Sequence, residues 1–204
     1  MTDELNLLQA LRLKGRVSVE GLAVALGVGG ETVSADLDGA ISEGLVALVS
    51  GRYRLSEAGR DRVAELVAAE RSSLDQAVLE GLYAEFDGYN GELKSIVTAW
   101  QMRAPDVPND HTDAAYDAAI IDRLMNLHQR FLPWLNRLAQ NVPRLSGYRN
   151  RFDTAARNVQ AGDHSFVARP IMDSYHTVWF ELHEVLIGAL GRDRASEAAA
   201  GRAG

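Results

Sequence analysis

Residues 18–59 read SVEGLAVALGVGGETVSADLDGAISEGLVALVSGRYRLSEAG, and this stretch decides the fold. Ser18 stands before Val19-Glu20-Gly21-Leu22, and Leu22, Ala23, Ala25 and Leu26 form a short apolar face that ends at Gly27-Val28-Gly29-Gly30. A serine ahead of such a run is a helix N-cap, and Glu20 in the first turn suits the positive end of the helix dipole. After the glycines, Val33, Leu37, Ala40, Ile41 and Leu45 recur at helical spacing until Gly44 closes that helix. Residues 45–49 are apolar and β-branched, Ser50-Gly51 is a turn, and Arg52-Tyr53-Arg54-Leu55 alternates polar with apolar, which predicts a hairpin. Ser56-Glu57 then caps a fourth helix carrying Val63, Leu66 and Val67, with helical periodicity running on to about Phe86. Upstream, Leu5, Leu7, Leu8 and Leu11 mark a first helix over 4–14, closed by Gly15. Three helices, a tight turn at Gly27 and a small hairpin predict a winged helix-turn-helix domain over residues 1–71.

The runs Leu22–Val28, Gly44-Leu45-Val46 and Tyr53-Arg54-Leu55-Ser56-Glu57-Ala58-Gly59-Arg60 resemble bacterial winged-helix regulators of the MarR and DeoR kind. The resemblance covers about the first third of the chain. It implies DNA binding, with the third helix in the major groove and the wing on phosphates. The residues placed for that role are Lys14, Arg16, Thr32, Ser34, Arg52 and Arg54.

Charge opposes this expectation. The chain of 204 residues carries a formal net charge of −7, and an acidic protein has no general electrostatic reason to bind nucleic acid. Residues 18–44 hold Glu20, Glu31, Asp36, Asp38 and Glu43 but no lysine or arginine, a poor complement of base-reading groups. Over residues 1–71 there are eight basic against eleven acidic side chains. The glycine cluster at 27–30 lacks the lysine of a phosphate-binding loop and follows a helix where such loops follow a strand, so it reads as a turn.

With 47% hydrophobic residues the remainder is long enough for a second core. The absence of cysteine excludes disulfide scaffolds, thiol catalysis and thiolate metal sites. No run approaches the roughly 20 apolar residues of a membrane span. The first residues, Met-Thr-Asp-Glu, lack a signal peptide's positive charge, so a cytoplasmic protein without membrane association is expected. Residues 72–191 predict an all-helical bundle that senses a ligand, dimerises, or both, and residues 192–204 a disordered tail. Asp87-Gly88-Tyr89-Asn90-Gly91 is expected to interrupt the helical pattern, and a segment from Glu92 stops near Pro105. Tyr116, Ile120, Ile121, Leu124, Leu127, Phe131, Leu135 and Leu138 predict a long amphipathic helix that Pro133 kinks or splits. Residues 148–160 predict another helix. Pro170 is placed in the first turn of a last one, whose core stripe runs from Ile171 through Tyr175 and Trp179 to Leu190.

Candidate ligand-binding residues are Trp100, Arg103, Asn109, Asp110 and His111 near the central loop, and Tyr175, His176, Trp179 and His183 on the last helix. Aromatic walls with a few polar groups suit a small-molecule pocket, and Arg103 suits a carboxylate or phosphate. The same residues also describe a helical core with satisfied polar tips. Asp173 and His176 have metal-ligand spacing, with His111, His128 or His164 available to complete a site, but His176 and His183 lie about 10 Å apart along one helix. The run Ala161-Gly162-Asp163, Ala168, Met172, His176 is faintly similar to the effector domain behind some GntR-type winged helices, whose metal site does not carry over. No metal or other cofactor is expected. No Ser-His-Asp ordering, nucleophile elbow or carboxylate pair stands out, so the chain is not expected to be an enzyme. The expected function is a ligand-responsive transcriptional regulator binding operator DNA as a homodimer. The alternative is an adaptor whose winged helix and helical bundle hold a partner enzyme.

Overall fold

A computed structural model of the chain describes residues 2–192 and Glu197. The chain divides into two compact units, Met1–Leu74 and Asp75–Gly204. Apart from Arg192 and Glu197, the tail expected to be disordered lies outside the described residues.

In the first unit, α1 (Glu4–Lys14) starts where the Asp3 side chain accepts the Leu5 amide, and α2 (Val19–Leu26) where Ser18 accepts from Gly21. Gly27 ends α2 in the left-handed region at φ 68°, a conformation that costs other residues strain. Helix α3 (Gly30–Ser42) follows, then the antiparallel hairpin β1 (Val46–Val49) and β2 (Arg52–Leu55), and α4 (Glu57–Ser73). Leu8, Leu11, Leu22, Val33 and Leu37 are fully buried in one core with Val63 of α4. Each such side chain contributes about 1.5–3 kcal/mol through removal from water.

One clamp fixes how α4 leaves the hairpin. The Ser56 amide donates to the Leu45 carbonyl (2.9 Å), its hydroxyl donates to the Gly44 carbonyl (2.6 Å), and its oxygen accepts from the Gly59 amide (2.9 Å). Gly59 lies so close that a Cβ there would sit 2.0 Å from the Leu45 oxygen. The Ser-x-x-Gly spacing is thus a packing requirement.

The expected continuation of α4 to Phe86 is corrected. Leu74 is extended (ψ 147°), and the Asp75 side chain caps a new helix, α5 (Gln76–Gln101), by accepting from Ala77 and Val78. Within α5 the Asp87–Gly91 segment stays helical, against expectation. Asn90 turns inward and its Oδ1 accepts the Trp179 indole N–H (3.1 Å), while Tyr89 donates to the Arg130 carbonyl (3.2 Å). Those contacts outweigh the roughly 1 kcal/mol that each glycine costs a helix.

A short antiparallel pair, β3 (Met102–Ala104) and β4 (Val107–Pro108), leads to α6 (Ala114–Asn141), capped by Asp113. Pro133 does not split α6. Pro133 and Gln129, whose carbonyl loses its helical partner, are both exposed, so water can take that carbonyl. After a 3-10 turn at Pro143–Ser146 come α7 (Gly147–Gln160), the four-residue α8 (Ser165–Ala168) and α9 (Tyr175–Ala189). The last helix begins at Ser174, which accepts the Thr177 amide, and not at Pro170. Ile171 leaves the expected core stripe: it is 93% exposed at φ 69°.

The second core is aromatic. Phe86, Phe131, Trp134, Phe152, Tyr175 and Trp179 are buried against one another, and Trp134 donates to the Leu82 carbonyl (3.0 Å). At its edge Arg151 reaches Asp173 (2.7 Å) and Glu181 (2.6 Å). Burial works against this guanidinium's charge, but the two carboxylates outweigh it and hold its pKa above the ordinary value. The neighbouring Tyr148 phenol is pushed up to about 12, chiefly by burial.

Candidate functional sites

Two features stand out, one in each unit. In the first, an isolated antiparallel bridge joins Val17 to Tyr53, with N–H···O distances of 3.1 and 2.8 Å. It adds a short third edge to the hairpin. Side chains alternate along extended backbone, so residues flanking Val17 and Tyr53 share the opposite face. The bridge register puts Arg16 opposite Arg54, next to Arg52 in the hairpin, and all three are exposed. Among the described residues none of the three has an ion-pair partner, whereas Arg62 is taken up by Glu4 and Glu65. Lys14 is half-buried in the last turn of α1. Sequence order separates Arg16 from the hairpin by 36 residues, and the bridge removes that separation.

Helix α3 offers little positive charge. Val33, Leu37 and Ala40 face the core, Thr32 and Ser34 flank it half-buried, and the exposed positions are Gly30, Glu31, Ala35, Asp38, Gly39, Ile41 and Ser42. Asp36 accepts the Thr2 amide (2.7 Å), and the Thr2 side chain, with its amide, lowers the Asp36 pKa.

In the second unit the sequence-derived ligand residues separate into two places. Trp100, Asn109 and His111 come together at the C-terminal end of α5. Asn109 is the hub. Its amide nitrogen donates to the Trp100 carbonyl (3.1 Å) and to Asp117 Oδ1 (2.8 Å), its backbone N–H donates to the Gln101 carbonyl (2.8 Å), and its Oδ1 accepts the His111 amide (3.3 Å). His111 Nδ1 meets the other Asp117 oxygen at 2.9 Å. That carboxylate is buried and holds the ring through Nδ1, which also lies 3.2 Å from the Asn109 amide nitrogen. His111 itself takes a left-handed backbone at φ 58°.

Beside this network lies an open cleft of about 490 Å³, bounded by Trp100, Gln101, His111, His164, Ser165 and Arg169, with Ala168 as an apolar patch. The indole of Trp100 has His111 at 4.4 Å between ring centres and His164 edge-on at 5.6 Å. Arg103 and Asp110 do not line it. Arg103 pairs with Asp113 (2.7 Å) and stacks over Tyr116, and its hydrogen bond lowers the Asp113 pKa. Asp110 is occupied by the Thr112 hydroxyl and amide, which lower its pKa.

The α9 residues sit elsewhere. The Tyr175 hydroxyl lies 3.4 Å from His128 Nδ1 within the aromatic core, Trp179 serves Asn90, and His183 Nε2 is 3.0 Å from the Tyr83 hydroxyl, which donates to Glu197 (2.6 Å). Burial lowers the pKa of His176, which borders a small pocket with Asn90, Trp179 and His183. Asp173, one half of the metal-spaced pair, is bound to Arg151. Among the described residues no group of three or more His, Asp or Glu is placed to hold a metal, and no helix is long and apolar enough to cross a membrane.

Sequence reasoning missed Asp117 and Arg169. Asp117 had a signal: it precedes Ile120 and Leu124 by three and seven residues, so a carboxylate occupies the apolar stripe of α6. Arg169 had none, since only the fold brings it to Trp100.

Compared with protein-family models, curated proteins and solved structures, the chain finds no match.

Proposed function

We propose that the chain is a ligand-responsive transcriptional regulator, in which residues 1–74 form a winged helix-turn-helix that binds operator DNA as a homodimer and the second unit senses a small molecule. The observation that carries this reading is the convergence of Arg16, Arg52 and Arg54, without ion pairs among the described residues, on one exposed face of the wing. Unpaired arginines on an exposed edge suit phosphates, which supply most of the affinity and none of the sequence reading. With α3 acidic on its outer face, base selection falls to Thr32 and Ser34 and to the shape of the duplex. Binding is therefore strongly salt-dependent. Because α4 ends at Ser73, signalling does not pass along one continuous helix from the wing, and the ligand acts by binding two states of the protein unequally.

A mobility-shift series with the protein's own upstream DNA tests this. A complex at low salt that weakens at least tenfold when Arg52 and Arg54 are both changed to Ala supports the reading; no complex at low salt refutes it. A second reading, a protein-binding adaptor, is favoured by the acidic outer face of α3 and by the exposed Val24, Ile41 and Leu48 of the same unit. It predicts no DNA complex and no effect of the arginine changes on partner binding.

A further inference from the structure

The cleft beside Trp100 is lined by basic and neutral groups. In a chain of net charge −7 its described walls contain no aspartate or glutamate, while Arg169, His111 and His164 all border it. Arg169 is exposed and has no ion-pair partner among the described residues, whereas Arg103, Arg130, Arg137, Arg151 and Arg192 of the same unit each face a carboxylate. Its backbone N–H donates to the Ser165 carbonyl (3.1 Å), which anchors the main chain beside the cleft, and its charge faces no carboxylate among the described residues. Three flat rings form the adjoining wall. His111 is pinned by buried Asp117 and Asn109, which sets its plane before any ligand arrives. Pre-set groups of this kind lower the ordering cost of binding. The volume, about 490 Å³, lies within the range of small-molecule sites.

We propose that this cleft binds a small planar organic acid, with the carboxylate on the Arg169 guanidinium and the flat body against the imidazoles of His111 and His164 and the edge of Trp100. An arginine fork matches the two carboxylate oxygens, which a neutral amide of the same shape does not. The inference rests on the reading of the second unit as the sensing part, and it makes that ligand an organic acid.

The test uses the full chain without DNA and benzoate as probe, with binding measured calorimetrically and the His111 and His164 ring signals followed by NMR. The expected result is saturable benzoate binding that moves both histidine signals, weakens about tenfold or more in Arg169→Ala, and weakens less in Arg169→Lys, which keeps the charge but loses the fork; tenfold corresponds to about 1.4 kcal/mol. Benzamide should bind at least tenfold more weakly than benzoate. Arg169 is exposed, so the variants should keep the wild-type thermal midpoint. Equal binding of benzoate and benzamide, inorganic phosphate displacing benzoate at equal concentration, unchanged affinity in Arg169→Ala, or no binding would each overturn the proposal. The two readings fail separately. Benzoate binding without any DNA complex leaves the acid site standing and removes the regulator, and a DNA complex in a protein that ignores benzoate does the reverse.

Discussion

Changing Gly59 to alanine should cost the first unit a large share of its stability. The added Cβ would stand 2.0 Å from the Leu45 carbonyl oxygen, 3.0 Å from its carbon and 3.2 Å from Leu55 Cδ2. Carbon–oxygen contacts normally run about 3.3–3.6 Å, so α4 or the start of the hairpin must yield by more than about 1 Å. Overpacking of that order costs about 1–3 kcal/mol. The movement also stretches two hydrogen bonds, from Ser56 N–H to Leu45 and from Ser56 Oγ to Gly44, each contributing about 0.5–1.5 kcal/mol. A loss of at least about 2 kcal/mol follows, which lowers the melting midpoint of a unit this size by about 8 °C or more. The comparison that isolates the cause is Gly88→Ala in α5, an exposed helical glycine with nothing within 4 Å of the new methyl. There alanine should stabilise by about 0.5–1 kcal/mol. Calorimetric melting of both variants checks the pair. A Gly59→Ala protein that melts with the wild type would refute the packing argument.

Three further outcomes follow from buried polar groups. Gln9 is 3% exposed and neither atom of its amide has a hydrogen-bond partner among the described residues, so Gln9→Met should raise stability by about 1 kcal/mol in urea melts. Arg151→Met removes the buried guanidinium that Asp173 and Glu181 share and should cost about 3–5 kcal/mol in the same assay. Burial lowers the pKa of both His128 and His176, with Asp153 opposing it and Arg149 adding to it at His128. The unfolded chain then binds protons more readily, so the stability these residues contribute is complete above about pH 6.5 and is lost as pH falls through the folded pKa values. Melting midpoints should therefore drop between pH 7 and pH 5, and less steeply in His128→Gln.

The first unit was readable from sequence because its boundaries are set locally. Ser18 and Ser56 cap helices by hydrogen bonds to residues three positions on, and Gly27 and Gly44 take up positive φ where the chain turns. The second unit was read less well because partners distant in sequence decide it. Asn90 holds α5 helical through Trp179, 89 residues away, and no local rule predicts that. The last helix starts at Ser174 because that side chain caps it, while a proline five residues before the helix gave a misleading local signal. At the cleft, Trp100, Asn109 and His111 were found because they cluster in sequence. Arg103 was expected to meet the ligand, but Asp113, ten residues on, takes its charge. Arg169 reaches the cleft only through the packing of α8 against α7 and α9.

The most direct test of the regulator reading is the salt dependence of DNA binding, measured by fluorescence anisotropy for the wild type and for the Arg16→Ala, Arg52→Ala, Arg54→Ala triple variant. The account predicts a wild-type affinity that falls steeply as salt rises. In the variant the affinity should be at least tenfold weaker at low salt, and the slope of log K against log salt shallower by about 0.9 for each phosphate that the variant no longer neutralises. Absence of binding at about 50 mM salt, the low end of the range over which such complexes weaken, or a variant with the wild-type affinity and slope, would contradict it.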